Sequence, residues 1–365
     1  MLVLITGGAG YIGSTVASAC EDAGHQVVIL DDFSTGRREF VGDRVLYDGD
    51  IADDALLDRI FAEHRIDAVV HCAAKIVVPE SVSDPLGYYE NNVSKTVTLL
   101  KALERNNVPR FLFSSSASIY APDENFVVTE ESPLQPGSPY ARTKFMVELI
   151  LEDYTLASAV KVLSLRYFNP IGTDPQLRSG QQLEKPSHVL AKLLEAWEKG
   201  ETFTVTGVDW PTRDGSGIRD FIHVWDLAKA HVAAVEGFDA ATADAPYQVF
   251  NIGTGNGVTV KELAASFEEI SGDPLKVTFG PPRPGDVAGV FVEIAWDLAS
   301  RRVRAAPGLE RASVAVALAG AIDARPLLGD AGARCGVGSV ELHQLLALGA
   351  GIAVLLGIEG EVASR

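Results

Sequence analysis

Short apolar runs alternate with longer amphipathic segments through the first half of the chain. The first run, residues 2–5, precedes a glycine-rich loop and a segment whose apolar spacing predicts a helix to about Ala23, ended by Gly24. The same alternation predicts strands at 26–30, 44–47, 68–71, 111–115 and 161–165 and helices at 54–64, 84–106 and 140–156. Strands that alternate with helices predict an α/β fold with a parallel sheet wrapped on both faces.

The order becomes less regular in the second half, where the loops lengthen. The pattern there predicts a helix at 187–199, a strand at 218–224 and a strand end at 251–255. We therefore predict a first domain over 1–168, to which segments near 218–255 return. A smaller α/β cap over 169–217 and 256–300 is expected to supply contacts to a substrate.

The tail at 301–365 differs in composition from the rest of the chain. Ala, Gly, Leu, Val and Arg dominate it, and no Lys, Asn, Tyr or Met occurs after Lys276. Its stretch 342–358 is almost wholly apolar, but it is short for a membrane span and carries polar residues. A packed helix pair, or a shifted reading frame over a GC-rich gene, would also produce such a composition. We assign this tail no function.

Composition and charge narrow the class of protein. The 365 residues are 47% hydrophobic and 22% charged, which is ordinary for a soluble globular protein. The net charge of −18 argues against nucleic acid or an anionic membrane surface as a partner. The three cysteines, at 20, 72 and 335, are too far apart for a metal site or a disulfide framework, and they fit a reducing cytoplasm.

The first strand, loop and helix carry the spacing of a phosphate-binding turn. The pattern Gly-x-x-Gly-x-x-Gly is formed by Gly7, Gly10 and Gly13. Glycines there permit a tight turn and let the backbone approach a pyrophosphate at the helix N-terminus. Asp31, which ends the next strand, can accept hydrogen bonds from both ribose hydroxyls and would repel a 2′-phosphate. The segment predicts a Rossmann-like doubly wound sheet that binds NAD, although two nearby arginines, at 37 and 38, leave NADP open.

A second constellation lies near the middle of the chain. Three serines, at 114–116, end one predicted strand, and Tyr140 and Lys144 stand four residues apart in the helix 140–156. That spacing places both side chains on one helix face. A cation beside a phenol favours the phenolate, so the pair can act as a base, and Ser116 can bond the reacting oxygen. The alternative is a helix start with an exposed tyrosine and a solvated lysine.

These motifs share a position in the predicted sheet. The glycine loop, Asp31, Asp50, Ala73 and the serines all follow the ends of predicted strands. Because ligands of open parallel sheets bind at the carboxyl ends of the strands, the location of the motifs agrees with their chemistry.

Taken together, nine blocks of sequence resemble the extended short-chain dehydrogenase/reductase superfamily and, within it, the family of UDP-glucose (UDP-galactose) 4-epimerases. The resemblance covers roughly residues 1–286. Its blocks stand at 7–13, 50–51, 79–81, 88–92, 113–120, 140–144, 166–170, 217–223 and 283–286.

The resemblance implies a cofactor site for NAD that is spread over the first domain. It implies an NAD-binding role for Gly7, Gly10, Tyr11, Ile12, Gly13, Asp31, Asp50, Ile51, Ala73, Ala74, Lys75, Asn91, Ser114, Tyr140, Lys144 and Tyr167. It also implies that the helices 84–106 and 140–156 form the four-helix interface of a homodimer.

The resemblance further implies C4 epimerisation of a UDP-hexose through a 4-keto intermediate. Tyr140 would take the proton of the sugar 4-hydroxyl while a hydride passes to NAD, and the hydride would return to the other face. The residues implied to hold the substrate are Ser116, Tyr140, Asn169, Arg219, Arg283 and Asp286. Two arginines suit a diphosphate because a guanidinium fork matches phosphate oxygens.

Several of these residues have a purely structural alternative. Asn169 could cap the turn before Pro170, Arg219 could pair with Asp220 at the surface, and Arg283 could belong to a plain loop. The two histidines at 71 and 223 follow apolar neighbours, and we interpret them as packed side chains rather than catalytic bases.

The chain departs from the family pattern at three positions. Lys75 stands one place earlier than the usual lysine, and Ser187-His188-Val189 replaces an expected Asn-Asn-Leu. Val290 stands where a tyrosine often closes the sugar pocket, which leaves room for an N-acetylated UDP-hexosamine. Two rival functions remain: a nucleotide-sugar dehydratase, and a catalytically silent NAD-binding regulator.

Overall fold

The computed structural model describes residues 1–121, 123–181, 188–283 and 286–293. The predictions for residues 294–300 of the cap and for the tail 301–365 lie outside these residues. The described strands are β1 Leu2–Thr6, β2 Gln26–Asp31, β3 Val45–Asp48, β4 Ala68–His71, β5 Arg110–Ser114, β6 Val127–Val128, β7 Lys161–Tyr167, β8 Asn169–Ile171, β9 Thr202–Thr206, β10 Ile218–His223, β11 Tyr247–Ile252, β12 Gly257–Thr259, β13 Lys276–Gly280 and β14 Gly289–Val292.

The helices alternate with these strands in the first half, as the sequence predicts. They are α1 Tyr11–Asp22, α2 Asp54–Glu63, α3 Val78–Ser83, α4 Pro85–Tyr89, α5 Lys95–Arg105, α6 Pro139–Ala157, α7 Val189–Lys199, α8 Val224–Glu236, α9 Phe238–Ala241 and α10 Val260–Ser271.

The large sheet has seven parallel strands in the order β11-β7-β5-β4-β1-β2-β3. One face is packed by α1 and α8, and the other by α2, α5 and α6, through two separate apolar clusters. The predicted doubly wound α/β sheet is therefore confirmed. Since β1 lies inside this order, between β4 and β2, the loop that follows it opens at the carboxyl edge away from both ends of the sheet.

The cap is built on smaller sheets. Strand β10 pairs with β8, β12 and β14, and β14 pairs with β6, while β9 and β13 form a separate parallel pair. Helices α7 and α10 pack with this pair around Phe203 and Phe267. From β10 the chain returns to the large sheet through α8 and β11.

The predicted helix at 84–106 is interrupted. It begins at Pro85, passes through a π-helical segment at Glu90–Ser94 and continues as α5. An i→i+5 segment of this kind often marks a functional site, because it rotates the side chains that follow it. Here it carries Asn91 and Asn92.

Candidate functional site

The glycine loop between β1 and α1 is packed too tightly for side chains. Gly7 has φ +72°, and a Cβ built on it lies 2.7 Å from the backbone nitrogen of Ala73. A Cβ on Gly13 lies 2.2 Å from the carbonyl oxygen of Gly7. Helix α1 begins at Tyr11 with no side-chain cap, so its first amides remain available to an anion. This loop is a cradle that a phosphate can approach closely.

The first helical turn is also tied to the cap. The Tyr11 hydroxyl donates to the carbonyl of Gly172 at 2.7 Å, and Ile12 packs against the core beneath the sheet. The start of α1, which follows the glycine loop, and the end of β8, the strand that begins at Asn169, are thus joined by a buried hydrogen bond.

Asp31 ends β2 beside the glycine loop. Its carboxylate accepts hydrogen bonds from the amides of Ala9 and Phe33, both at 2.8 Å. Burial raises the pKa of Asp31, and the two amides oppose that rise. Arg38, one of the two residues that left NADP open, pairs with Asp48 and lies over the Phe33 ring. This environment fits a ribose with free hydroxyls.

The other residues predicted at the cofactor site follow the neighbouring strands. Asp50 forms an ion pair with Lys95 at 2.5 Å, and Ile51 beside it is buried. Ala73 lies against Gly7 at the end of β4, and Ala74 follows it half-buried. The Lys75 ammonium lies 3.5 Å from a carboxylate oxygen of Asp84 and 3.9 Å from one of Glu80.

Asn92 is a buried junction beside the candidate site that sequence reasoning did not name. Its side chain accepts from the amide of Lys75 at 2.9 Å and from the Asn91 side chain at 3.0 Å, and it donates to the Lys75 carbonyl and to Thr143. It thereby fastens the loop after β4 to the residue before Lys144. The Asn91-Asn92 pair was visible in the sequence, but the π-helical turn that aims Asn92 inward was not.

Helix α6 presents Tyr140 and Lys144 from its first two turns. Ser138 caps the helix by accepting from the amide of Ala141 at 3.2 Å, and Pro139 occupies the first turn. The Lys144 side chain is buried, and its ammonium donates to the Ser114 carbonyl at 2.8 Å. The alternative of a solvated lysine is therefore wrong.

Burial shapes the proton affinities of this pair. It lowers the pKa of Lys144 to about 8, with Cys72 and Glu148 opposing it. Burial raises the pKa of Tyr140, and a hydrogen bond with Ser116 lowers it. The protein groups alone thus move the pKa of Tyr140 upward, which corrects the prediction that the Tyr140–Lys144 pair can by itself act as a base near neutral pH. The physical reason is that desolvation outweighs the hydrogen bond, while Lys144 directs its ammonium to a backbone carbonyl.

Ser114 is a junction at the end of β5. Its hydroxyl lies 3.3 Å from the Cys72 thiol and 3.3 Å from Nε2 of His231, and it bonds the Tyr167 hydroxyl. Burial is the main cause that raises the pKa of Tyr167. Next along the chain, Ser116 accepts from the amide of Ser118 at 3.2 Å, which fixes the turn that presents its hydroxyl to Tyr140.

Arg219 is the first of the predicted substrate residues in the cap. Among the described residues its guanidinium donates to no carboxylate, only to carbonyls, including those of Ile218 at 2.7 Å and Ala288 at 2.8 Å. Asp220 is buried, accepts from Thr254 and does not pair with it. The alternative of a surface ion pair with Asp220 is therefore wrong.

Arg283 and Asp286 form a two-point ion pair at 2.9 and 3.0 Å. Burial is the main cause that lowers the pKa of Arg219. The charge of Asp286 opposes this lowering, and the charge of Arg283 adds to it. Arg283 also contributes to the lowered pKa of His188, after burial. The structure thus brings these residues together, and Asn169 lies on the neighbouring strand β8, paired with Phe221, two residues after Arg219 on β10.

The two histidines interpreted as packed side chains are both buried. His71 lies between the hydroxyls of Thr6 and Thr96, at 2.7 and 3.0 Å, and burial lowers its pKa to about 3. His223 accepts from the amide of Trp225 at the start of α8. Within the described residues no group of three metal-ligating side chains occurs, and no helix there is long and apolar enough to cross a membrane.

The doubly wound sheet, its glycine loop, the acid after β2 and the Tyr140–Lys144 pair define a nicotinamide-dinucleotide site of the short-chain dehydrogenase/reductase kind. The family model for the NAD dependent epimerase/dehydratase family matches residues 3–253. The chain belongs to that family.

Similar proteins are UDP-glucose 4-epimerases. The protein from Azospirillum brasilense is 43% identical over 286 residues, which cover 78% of this chain and 81% of that protein. The Bacillus subtilis protein is 40% identical over 307 residues, covering 81% and 89%. The structure of UDP-glucose 4-epimerase from Bifidobacterium longum with NAD+ and UDP matches with a TM-score of 0.79 and 33% identity, over 89% of this chain and 99% of that one. That of the UDP-Glc/GlcNAc 4-epimerase from Campylobacter jejuni matches with a TM-score of 0.71 and 34% identity, over the same shares.

Proposed function

We propose that this protein is an NAD-dependent epimerase that interconverts UDP-galactose and UDP-glucose by inverting C4 through a 4-keto intermediate. The observation that carries the proposal is the meeting of Tyr140, Lys144 and Ser116 at the carboxyl edge of the large sheet, beside the glycine loop. The relatives named above support the choice of substrate.

The residues present fit NAD. The glycine cradle and the N-terminus of α1 suit the pyrophosphate, and Asp31 suits the adenosine ribose. Asp50 and Ile51 would hold the adenine side, and Lys144, Asn91 and Tyr167 the nicotinamide side. NAD, when bound, supplies a reversible acceptor for the C4 hydrogen, and its positively charged ring also favours the Tyr140 phenolate.

The roles of the catalytic side chains follow from their contacts. Tyr140 takes the proton of the sugar 4-hydroxyl and later returns a proton to the same oxygen. Ser116, which already bonds Tyr140, donates to that oxygen and orients it. Lys144 is buried and protonated below a pH of about 8, so its charge stabilises negative charge on the phenol side of the pocket.

The cap holds the nucleotide. Arg219 and Arg283 supply two cationic forks for the two phosphates of UDP. Asp286, which pairs with Arg283 in this structure, would accept from the uridine ribose, and Asn169 would contact the diphosphate from β8. These contacts to the nucleotide stabilise the bound substrate and the transition state alike.

The test is conversion of UDP-galactose by the purified protein without added NAD, followed by chromatographic separation of UDP-glucose. Formation of UDP-glucose supports both the epimerase activity and a retained cofactor. A folded protein that gives no UDP-glucose even when NAD is supplied would overturn the proposal.

The rival functions fare less well. A dehydratase needs a carboxyl group beside the reacting serine, but Ala117 follows Ser116, and the carboxylate that reaches Ser115 belongs to Glu148, which is already paired with Arg166. A silent regulator would not need an intact Tyr140–Lys144 pair.

One observation favours a second substrate class. Val290 pairs with Arg219 across the sheet and packs on the cluster of Ala117, next to Ser116. A small side chain there suits an N-acetyl group on the sugar 2-position. Turnover of UDP-N-acetylglucosamine at a rate near that of UDP-galactose would support this extension, and good turnover of UDP-galactose alone would exclude it.

Two further features belong to the proposal. Helices α4 and α6 contact each other and expose Leu86 at 78%, Leu156 at 79% and Leu149 at 45%, which suits a homodimer interface. A monomer by sedimentation equilibrium would contradict it.

The free thiols of Cys20 and Cys72 suit a cytoplasmic location. Recovery of the native protein in a membrane or secreted fraction would contradict that location.

A further inference from the structure

Two neighbouring serines at the end of β5 are each bound by a different residue of α6. The Lys144 ammonium donates to the carbonyl of Ser114 at 2.8 Å, and the Ser115 hydroxyl donates to the Glu148 carboxylate at 2.5 Å. Glu148 follows Lys144 by four residues, so both side chains leave the same face of the helix. Glu148 therefore fixes the position of α6 along the strand that carries Ser116.

The Glu148 carboxylate is itself held by Arg166 of β7. The guanidinium donates through Nε at 3.0 and 3.1 Å and through a terminal nitrogen at 2.5 Å. Both side chains are buried, with 4% and 6% of their surfaces exposed. A charge pair as deeply buried as this one contributes little net stability compared with apolar side chains of similar volume, so its presence calls for a further role.

Arg166 is anchored in turn at the far side of the serine turn. It donates to the Tyr120 hydroxyl at 2.7 Å, and Tyr120 donates to the Asn251 side chain at 2.8 Å. Tyr120 ends the short turn that begins after Ser116. The network thus brackets Ser116 on both sides, at Ser115 and at Tyr120.

We infer that Glu148, held by Arg166, is a positioning residue for the proposed epimerase reaction, because it sets the serine turn and the catalytic face of α6 in register. The inference rests on the proposed function. Glu148 touches neither the substrate nor the cofactor, and it acts through Ser115 and through its charge. That charge also opposes the effect of burial on the pKa of Lys144, which keeps the lysine protonated to higher pH.

The test compares Glu148→Gln with the wild type. Glutamine keeps an oxygen that can accept from Ser115 but removes the charge. We expect kcat to fall about 10- to 100-fold, the range in which small displacements of reacting groups act. We also expect the alkaline limb of the pH profile of kcat to move to lower pH, while the bound NAD and the affinity for UDP, measured by chromatography and calorimetry, stay unchanged.

A matched control comes from the next turn of the same helix. Glu152 is exposed, so Glu152→Gln should leave kcat, its pH profile and thermal stability as they are in the wild type. Glu148→Gln leaves Arg166 without its charged partner, which can make the protein too unstable to study. In that case the double variant Glu148→Gln, Arg166→Met removes the unpaired charge and restores folding. Its kcat should remain reduced and its alkaline limb shifted.

Three outcomes would overturn the inference. They are an unchanged pH profile in Glu148→Gln, a kcat that falls only in proportion to the unfolded fraction, and a double variant that recovers the wild-type kcat. These outcomes are separable from failure of the proposed function, because in that case the wild type itself gives no UDP-glucose. The NAD content and the UDP affinity then still report whether the site is formed.

Discussion

The catalytic edge of the large sheet and the rim of the cap hold their charges in different ways. Lys144 is buried, and its ammonium is committed to a backbone carbonyl. Among the described residues, the Arg219 guanidinium donates only to carbonyls. Arg283 pairs with Asp286, and both residues belong to the proposed UDP site. The lysine of the first region is buried and hydrogen-bonded within the core, whereas the two arginines of the second lie on β10 and on the loop after β13.

This contrast indicates a division of labour. The groups proposed to act on the reacting atoms are placed by strands and a helix of the core, where a displacement disturbs close packing. The groups proposed to hold the nucleotide lie on short strands and loops, which tolerate adjustment as a ligand binds. Variants of Tyr140 and Lys144 should therefore change kcat, and variants of Arg219 and Arg283 should change KM.

The largest effect is expected for Tyr140→Phe. Loss of the phenol removes the group that takes and returns the proton, so kcat should fall by about 10²- to 10⁴-fold. Initial rates with UDP-galactose measure kcat, and calorimetry with UDP should show unchanged affinity. Tyr154→Phe on the same helix is the matched control, because it loses hydrogen bonds to Leu100 and Ser158 and should keep its activity. A Tyr140→Phe protein that retains activity would break the division of labour.

A smaller effect is expected for Arg219→Met. A charge-assisted hydrogen bond is worth about 1.5 to 3 kcal/mol, so KM for UDP-galactose should rise about 10- to 100-fold while kcat changes little. Arg213→Met is the control, because this exposed arginine pairs with Glu262 away from the proposed diphosphate site. If Arg219→Met lowers kcat and leaves KM alone, the rim takes part in the chemistry and the comparison fails.

The last effect concerns stability, rather than activity, at the buried edge. Burial and Lys144 lower the pKa of His71 from 6.5 to about 3, so the unfolded chain binds a proton that the native state does not. Stability is therefore fully present above pH 6.5 and falls as the pH drops toward 3, by a few kcal/mol.

Thermal unfolding at pH 7 and pH 4.5 measures this loss. His71→Gln should be less stable at pH 7 but lose less on acidification than the wild type. Equal acid loss in His71→Gln and the wild type would contradict the assignment.

Much of the first half could be predicted from the sequence because its strands are continuous apolar runs that end in glycines, acids or serines. Such strands are buried on both faces, and their carboxyl ends meet at one edge. The position of Asp31 and of the three serines at 114–116 follows from that rule without any knowledge of distant contacts.

Other features could not be predicted because they depend on residues far apart in the chain. Strand β14 forms only by pairing with β10 and β6, and the buried bond between Glu148 and Arg166 requires β5 and β7 to be neighbours. Two elements were missed although the signal was present. Helix α8 has regular apolar spacing, and β9 alternates exposed threonines with the buried Phe203 and Val205.

The direction of the pKa shift at Tyr140 also lay beyond the sequence. Spacing indicated that Lys144 shares its helix face, but only the folded chain shows that the ammonium turns to Ser114 and that burial outweighs the Ser116 hydrogen bond.

The central claim is that C4 is oxidised and then reduced again inside one site. It is tested most directly with UDP-galactose that carries deuterium at C4, converted in ordinary water and analysed by mass spectrometry of the isolated UDP-glucose. The account predicts UDP-glucose that keeps the deuterium at C4, because the hydrogen leaves and returns without meeting solvent. Loss of the deuterium to water, or no conversion by the folded protein with NAD supplied, would contradict it.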